Sequence, residues 1–265
     1  MNKFLGVFLM SIFIYIFTSC SSNLVLNDDN DKKIRIGVTS VPYGEILQNI
    51  KNVFKEDFDI ITYVDQDKLN KDLVDGNLDA NFFQTREYLN RFNLTSEIKL
   101  VEITPVHVEP LIIYSSKYRT LDKVENEDIV YIPSDFINRN RSLKLLEDAG
   151  FVTLAEELDG SYTIINNPKN LIINQVDIND VPYYFNESDL IVLNTNVAMG
   201  NNINPKEVGI FYEKSFDNDL KFNIFVTRED MITSVKLKEI ANYLNSYENF
   251  KFINVKYNGF VKPIF

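Results

Sequence analysis

The chain has 265 residues, 45% of them hydrophobic, which is enough apolar material for one large core or two modest ones. A formal net charge of −11, with no basic stretch interleaved with aromatics, excludes a nucleic-acid backbone as partner. The one cysteine and one histidine exclude an intrachain disulfide and a Cys/His metal cluster.

The chain begins with Lys3, an apolar run from Phe4 to Phe17, and then Thr18-Ser19-Cys20-Ser21-Ser22. A positive charge, an apolar stretch and small residues before a cut describe a signal peptide over residues 1–19. The run is shorter than the roughly 20 apolar residues of a membrane span. Cys20 stands where a lipoprotein signal places its acylated residue. The stretch resembles a bacterial lipobox, with Thr18 and Ser19 acceptable and Phe17 in place of the usual leucine. The expectation is lipidation at Cys20 and attachment to a membrane through more than one acyl chain; the alternative is a plain secretory signal with a leftover thiol. Residues 20–33, rich in Asn and Asp, read as the lipidated cysteine and a flexible tether.

The folded part opens with an alternating strand from Lys33 to Val38 and a loop through Pro42 to Gly44. Ile46, Leu47, Ile50, Val53 and Phe54 mark an amphipathic helix. A strand follows over Phe58 to Tyr63, then a short helix from Leu69 to Val74 ended by Gly76, then a buried strand from Leu78 to Phe83. Lys99 to Ile103 and Val108 to Tyr114 form a third unit. The rhythm then restarts, with a strand at Ile129 to Ile132 and a helix closed by Gly150. Phe151 to Leu158 and Tyr162 to Ile165 lead to a turn at Asn167 to Leu171. Strands follow at Leu171 to Val176, Leu190 to Leu193 and Phe222 to Val226. A closing helix runs from Met231 to Leu244, before a short C-terminal segment. Alternating strands and helices predict an α/β fold with a parallel sheet.

Two restarts of this pattern predict two lobes, lobe I from residues 33–110 plus 222–265 and lobe II from 111–221, with crossings near His107–Tyr114 and Lys221–Arg228. Ligands of open α/β sheets sit beyond the carboxyl ends of strands. Phe83, Thr85 and Tyr88 follow one strand, Asn138 and Arg141 a second, and Asn194 a third, so all face one predicted cleft. In Ile132 to Gly150, Ser134 and Asp135 offer caps to the helix, and Asn138 and Arg141 share its opening turn. An arginine fork, an amide and free N–H groups suit a small carboxylate. The alternative is a capped surface helix with a solvated arginine.

Several motifs together resemble the methionine-binding lipoproteins of ABC importers, the MetQ/NlpA type. They are Val41-Pro42 with Glu45-Ile46-Leu47, Gly76 through Gln84, His107-Val108-Glu109-Pro110-Leu111 with Tyr114-Ser115, and Ile132-Pro133-Ser134-Asp135 with Asn138 and Arg141. Asn167 to Leu171, Leu193 to Ala198 and Val226 to Asp230 complete the set, in the family's order and spacing. The resemblance implies a two-lobed periplasmic-binding-protein architecture that closes on a ligand between the lobes. It implies that Arg141 pairs with an α-carboxylate, that Asn138 and Asn194 bond the ligand's polar backbone atoms, and that Phe83 and Tyr88 line a side-chain pocket. The family usually has tyrosine where Gln66 stands and histidine where Thr85 stands, which makes this wall smaller and more polar. L-methionine is the first expected ligand; another small amino acid or a short peptide is the alternative.

The implied partners are an ABC permease and its ATPase, with the chain held on the envelope by its lipid. The family norm is the outer face of the cytoplasmic membrane, and the outer membrane or cell surface stays open. No cofactor or metal is implied. Against an enzyme, His107 has no companion for a triad, and no nucleophile elbow, zinc-protease motif or phosphate loop is present. Ser96-Glu97-Ile98-Lys99 matches Ser-x-x-Lys by chance, and Asp65 with Asp67 reads as a solvated turn rather than a calcium loop. A third class is a surface lipoprotein with a drifted pocket that acts on other proteins or host molecules. Arg141→Ala is expected to cost on the order of 2–5 kcal/mol of affinity for an amino-acid ligand in calorimetry. Unchanged affinity would end the carboxylate assignment.

Overall fold

The computed structural model describes residues 33–214 and 219–265. The lipidation candidate Cys20, the signal segment and nearly all of the tether lie outside the described residues. The chain runs β1 (Ile34–Val38), α1 (Glu45–Phe54), β2 (Phe58–Thr62), α2 (Asp67–Val74), β3 (Ala80–Thr85), α3 (Arg86–Thr95) and β4 (Leu100–Val108). It continues with β5 (Leu111–Tyr114), β6 (Ile129–Pro133), α4 (Phe136–Asp148), β7 (Thr153–Glu156), β8 (Tyr162–Asn166), β9 (Ile172–Val176) and β10 (Leu190–Asn194). The last elements are α5 (Thr195–Gly200), α6 (Pro205–Val208), β11 (Gly209–Tyr212), β12 (Asn223–Arg228), α7 (Val235–Leu244), α8 (Tyr247–Tyr257) and β13 (Lys262–Pro263).

The strands form a six-stranded sheet in the order β13-β4-β12-β3-β1-β2, a five-stranded sheet in the order β11-β5-β10-β6-β9, and the separate hairpin β7-β8. Both large sheets are covered on two faces, which is why their strands read as continuous apolar runs. In β5, Leu111 and Ile113 enter the core beneath α4, while Ile112 and Tyr114 enter the opposite core with Val197 and Ala198 of α5. The six-stranded sheet packs Ile36, Val38 and Phe82 against α1, α7 and α8, and Phe83, Ile224 and Val226 against α2 and α3.

The expected parallel sheet is mixed instead. β1 pairs in parallel with β2 and β3, but β12 is antiparallel to β3 and β4, and β10 is antiparallel to β5. Besides the terminal β13, antiparallel to β4, the strands that break the pattern are β5 and β12, the two the chain enters on passing from one sheet to the other. They arrive without a covering crossover helix, so the parallel rule does not bind them. The single strand expected from Val108 to Tyr114 is broken at Glu109-Pro110, where proline has no N–H for a ladder.

The closing helix begins at Val235 rather than Met231, because the Ser234 side chain accepts the Leu237 N–H as its cap. The short C-terminal segment is a further helix, α8, plus strand β13. Helix α3 and the β7–β8 pairing were likewise not expected. Gly150 does stop α4 as read, at φ +80.

Gly37 of β1 lies under α2. A Cβ there would come within 2.4 Å of Leu78 Cδ1 and 2.6 Å of Leu69 Cδ2, both in fully buried side chains. Gly37→Ala is therefore expected to destabilise the protein by about 1–3 kcal/mol through overpacking. Urea unfolding checks this, and an unchanged midpoint would show that the two leucines can move aside.

Candidate functional site

The seven residues singled out in the sequence, Gln66, Phe83, Thr85, Tyr88, Asn138, Arg141 and Asn194, line one cavity between the two sheets. Its volume of about 50 Å³ exceeds what one water molecule needs, so the space is not collapsed. Strand ends and the helices that follow them supply the lining: β3 and α3 on one side, β10 and α4 on the other.

The polar side is built on α4. Asp135 caps that helix by accepting the Asn138 N–H at 3.0 Å, and the Asn138 amide also donates to its carboxylate. Asn138 Oδ1 accepts from Asn194 Nδ2 at 3.0 Å, so Asn138 orients Asn194 and leaves Asn194 Oδ1 buried without a partner. Arg141, in the second turn of α4 rather than its opening turn, keeps only 11% of its side chain exposed. Its Nη2 donates to Glu213 Oε2 at 2.6 Å and to the Glu109 carbonyl at 3.4 Å, while its Nε is buried and unpartnered. The solvated-arginine alternative is thereby removed. A buried donor and a buried acceptor left open in one cavity are what a polar ligand would satisfy.

The sequence reading did not place Glu109 in the site. It lines the cavity, is 5% exposed, and sits at the crossing between the sheets. Glu109 Oε1 lies 2.8 Å from His107 Nε2, and Oε2 accepts the Asn196 N–H at 3.0 Å. The available signal was an acidic residue at the end of an apolar strand, two positions after the chain's one histidine. His107 is fully buried, with its ring against Tyr43 and Phe82. Burial and then the Glu109 charge push the Tyr43 hydroxyl well up, and it donates to Asn223 Oδ1 at 2.8 Å.

The opposite wall is aromatic. Phe83 and Tyr88 meet edge to face, with centroids 5.7 Å apart. The Tyr88 hydroxyl donates to Asp67 Oδ1 at 2.9 Å; burial, then this carboxylate, raises its pKa. Thr85 has a second task, because its hydroxyl caps α3 by accepting the Tyr88 N–H at 3.2 Å. Gln66 immediately precedes α2 and is half-buried. Behind the wall, Asn70, Asn81 and Gln84 form a closed amide network at 2.8–3.0 Å, and each is under 3% exposed. A satisfied buried network of this kind fixes β3 and with it the Phe83 ring.

The cavity thus offers a guanidinium edge and a carboxylate at its polar end and two rings at the other, a pattern suited to a small zwitterion with an apolar side chain. Asp65 and Asp67 form the expected turn, Asp65 Oδ1 accepting the Asp67 N–H at 3.0 Å. Among the described residues, no group of three or more His, Cys, Asp or Glu side chains could hold a metal ion, and no helix is long and apolar enough to cross a membrane. Ser96 and Lys99 bond backbone carbonyls and do not line the cavity.

A model of the NlpA lipoprotein family matches residues 34–265. The chain is 32% identical to a methionine-binding lipoprotein of Bacillus subtilis over 271 residues, 98% of each chain. Its structure is similar to that of a lipoprotein from Clostridium difficile, with a TM-score of 0.84 at 29% identity over 89% of this chain and all of that one. It is also similar to a nutrient-binding protein from Burkholderia cenocepacia bound to methionine, with a TM-score of 0.80 at 27% identity over 88% of this chain and all of that one.

Proposed function

The chain belongs to the NlpA lipoprotein family, and on that premise we propose that it is the substrate-binding component of an ABC importer, taking L-methionine or a related small amino acid in the cleft. The ligand carboxylate meets Arg141, and its ammonium meets Glu109. Asn138 and Asn194 hold its remaining polar atoms, and its side chain lies against Phe83 and Tyr88. Gln66 and Thr85 trim the wall at the far end of the side chain. The observation that carries this reading is the pairing of the buried, unpartnered Arg141 Nε with the buried Glu109 carboxylate in one cavity. Glu213 and His107 already partner the two groups; a zwitterion adds an opposite charge to each, whereas a ligand with only one charge serves only one of them.

Residues 33–110 with 222–265 act as one lobe and 111–221 as the other, opening and closing about the two crossings. Ligand contacts to both lobes favour the closed form, which delivers its cargo to a permease driven by an ATPase. The protein works as a binder and carries out no reaction. Acylation at Cys20 holds it to the envelope membrane, with the outer face of the cytoplasmic membrane as the expected site.

Mass spectrometry of small molecules released on denaturing the recombinant protein from Ser21 onward tests the ligand. Methionine or another amino acid in about equimolar amount is expected, since sites of this kind bind tightly enough to survive purification. A protein that is empty and binds no amino acid from a panel would overturn the reading. Glu109→Gln, which keeps the shape and removes the charge, is expected to cost about 1.5–3 kcal/mol of methionine affinity in calorimetry. Unchanged affinity would show that the ammonium sits elsewhere.

A further inference from the structure

Arg141 is half of a larger arrangement that no motif in the sequence marks. Glu213, just beyond β11, has 10% of its side chain exposed, and its carboxylate reaches three separate parts of the fold. Its Oε2 accepts from Arg141 Nη2 at 2.6 Å and from the Leu111 N–H at 3.1 Å, and its Oε1 accepts from Lys221 Nζ at 2.8 Å. Its own N–H donates to the Leu111 carbonyl at 2.9 Å. Leu111 opens β5 at the first crossing between the sheets, and Lys221 precedes β12 at the second. Burial alone would raise the Glu213 carboxyl, but Arg141 and Lys221 outweigh it and hold the pKa below the ordinary value, so the group is charged.

A guanidinium this buried needs a compensating charge, and a long side chain needs a fixed partner to keep one rotamer. Glu213 meets both needs through Nη2 and leaves Nε without a partner. We propose that Glu213 is the positioning residue of the carboxylate subsite. Anchored at both crossings, it holds Arg141 by Nη2 and so fixes the orientation of a guanidinium that lines the cleft. Its effect falls on the ligand carboxylate and spares the rest of the ligand. This inference rests on Arg141 being the carboxylate partner.

The test is calorimetry of the wild type, Glu213→Gln and Lys221→Gln with two ligands, L-methionine and L-methioninol. The second keeps the ammonium and side chain but lacks the carboxylate. Glu213→Gln is expected to weaken methionine by about tenfold or more, and methioninol by no more than about twofold, as for an uncoupled site. Lys221→Gln, which loosens Glu213 from behind, gives a smaller loss with the same selectivity, and carries the test if Glu213→Gln fails to melt cooperatively. Equal losses for both ligands in a folded variant, or an undiminished methionine affinity, overturn the proposal. A wild type that binds methionine no better than methioninol contradicts the Arg141 assignment instead, and one that binds neither contradicts the amino-acid reading.

Discussion

The structure turns on the burial of unlike charges where the chain passes between its two sheets. Arg141 and Glu213 are each about nine-tenths buried, and the buried Glu109 lies in the first crossing itself, between β4 and β5. Charges removed from water are tolerated only when other groups compensate them. Glu213 is compensated by Arg141 and Lys221, and Glu109 by His107 and the Asn196 N–H. Arg141 Nε is what remains without a partner.

The lobe walls show the same division of labour. On the aromatic side, the amides of Asn70, Asn81 and Gln84 satisfy one another and hold β3, while Asp67 holds Tyr88. Between the two sides, the Arg91 guanidinium of α3 stacks 3.9 Å above the Phe136 ring at the start of α4. A cation–π contact in that place adds a modest attraction between the two sides.

Much of this was legible in the sequence. The strand cores, the stop at Gly150 and the gathering of six residues beyond strand ends follow from apolar runs, capping residues and order along the chain, while Gln66 came only with the family resemblance. Other parts were not. Helix α8 carries Phe250 and Val255 on its exposed side, so its apolar positions do not mark one face. The mixed strand directions depend on crossings, which no local pattern reports. Glu109 and Glu213 stand among 38 acidic residues, and an isolated acidic residue in such a chain reads as surface charge until the fold buries it. Thr85 was read only as a wall residue, whereas its hydroxyl also caps α3.

The central claim is that one cleft holds an amino acid by both of its charges. A crystal structure of the protein grown with saturating L-methionine tests it most directly. The account predicts the carboxylate against the Arg141 guanidinium, the ammonium against Glu109 and the thioether between Phe83 and Tyr88. Methionine bound in the reverse orientation, or a cleft left empty at saturation, would contradict it.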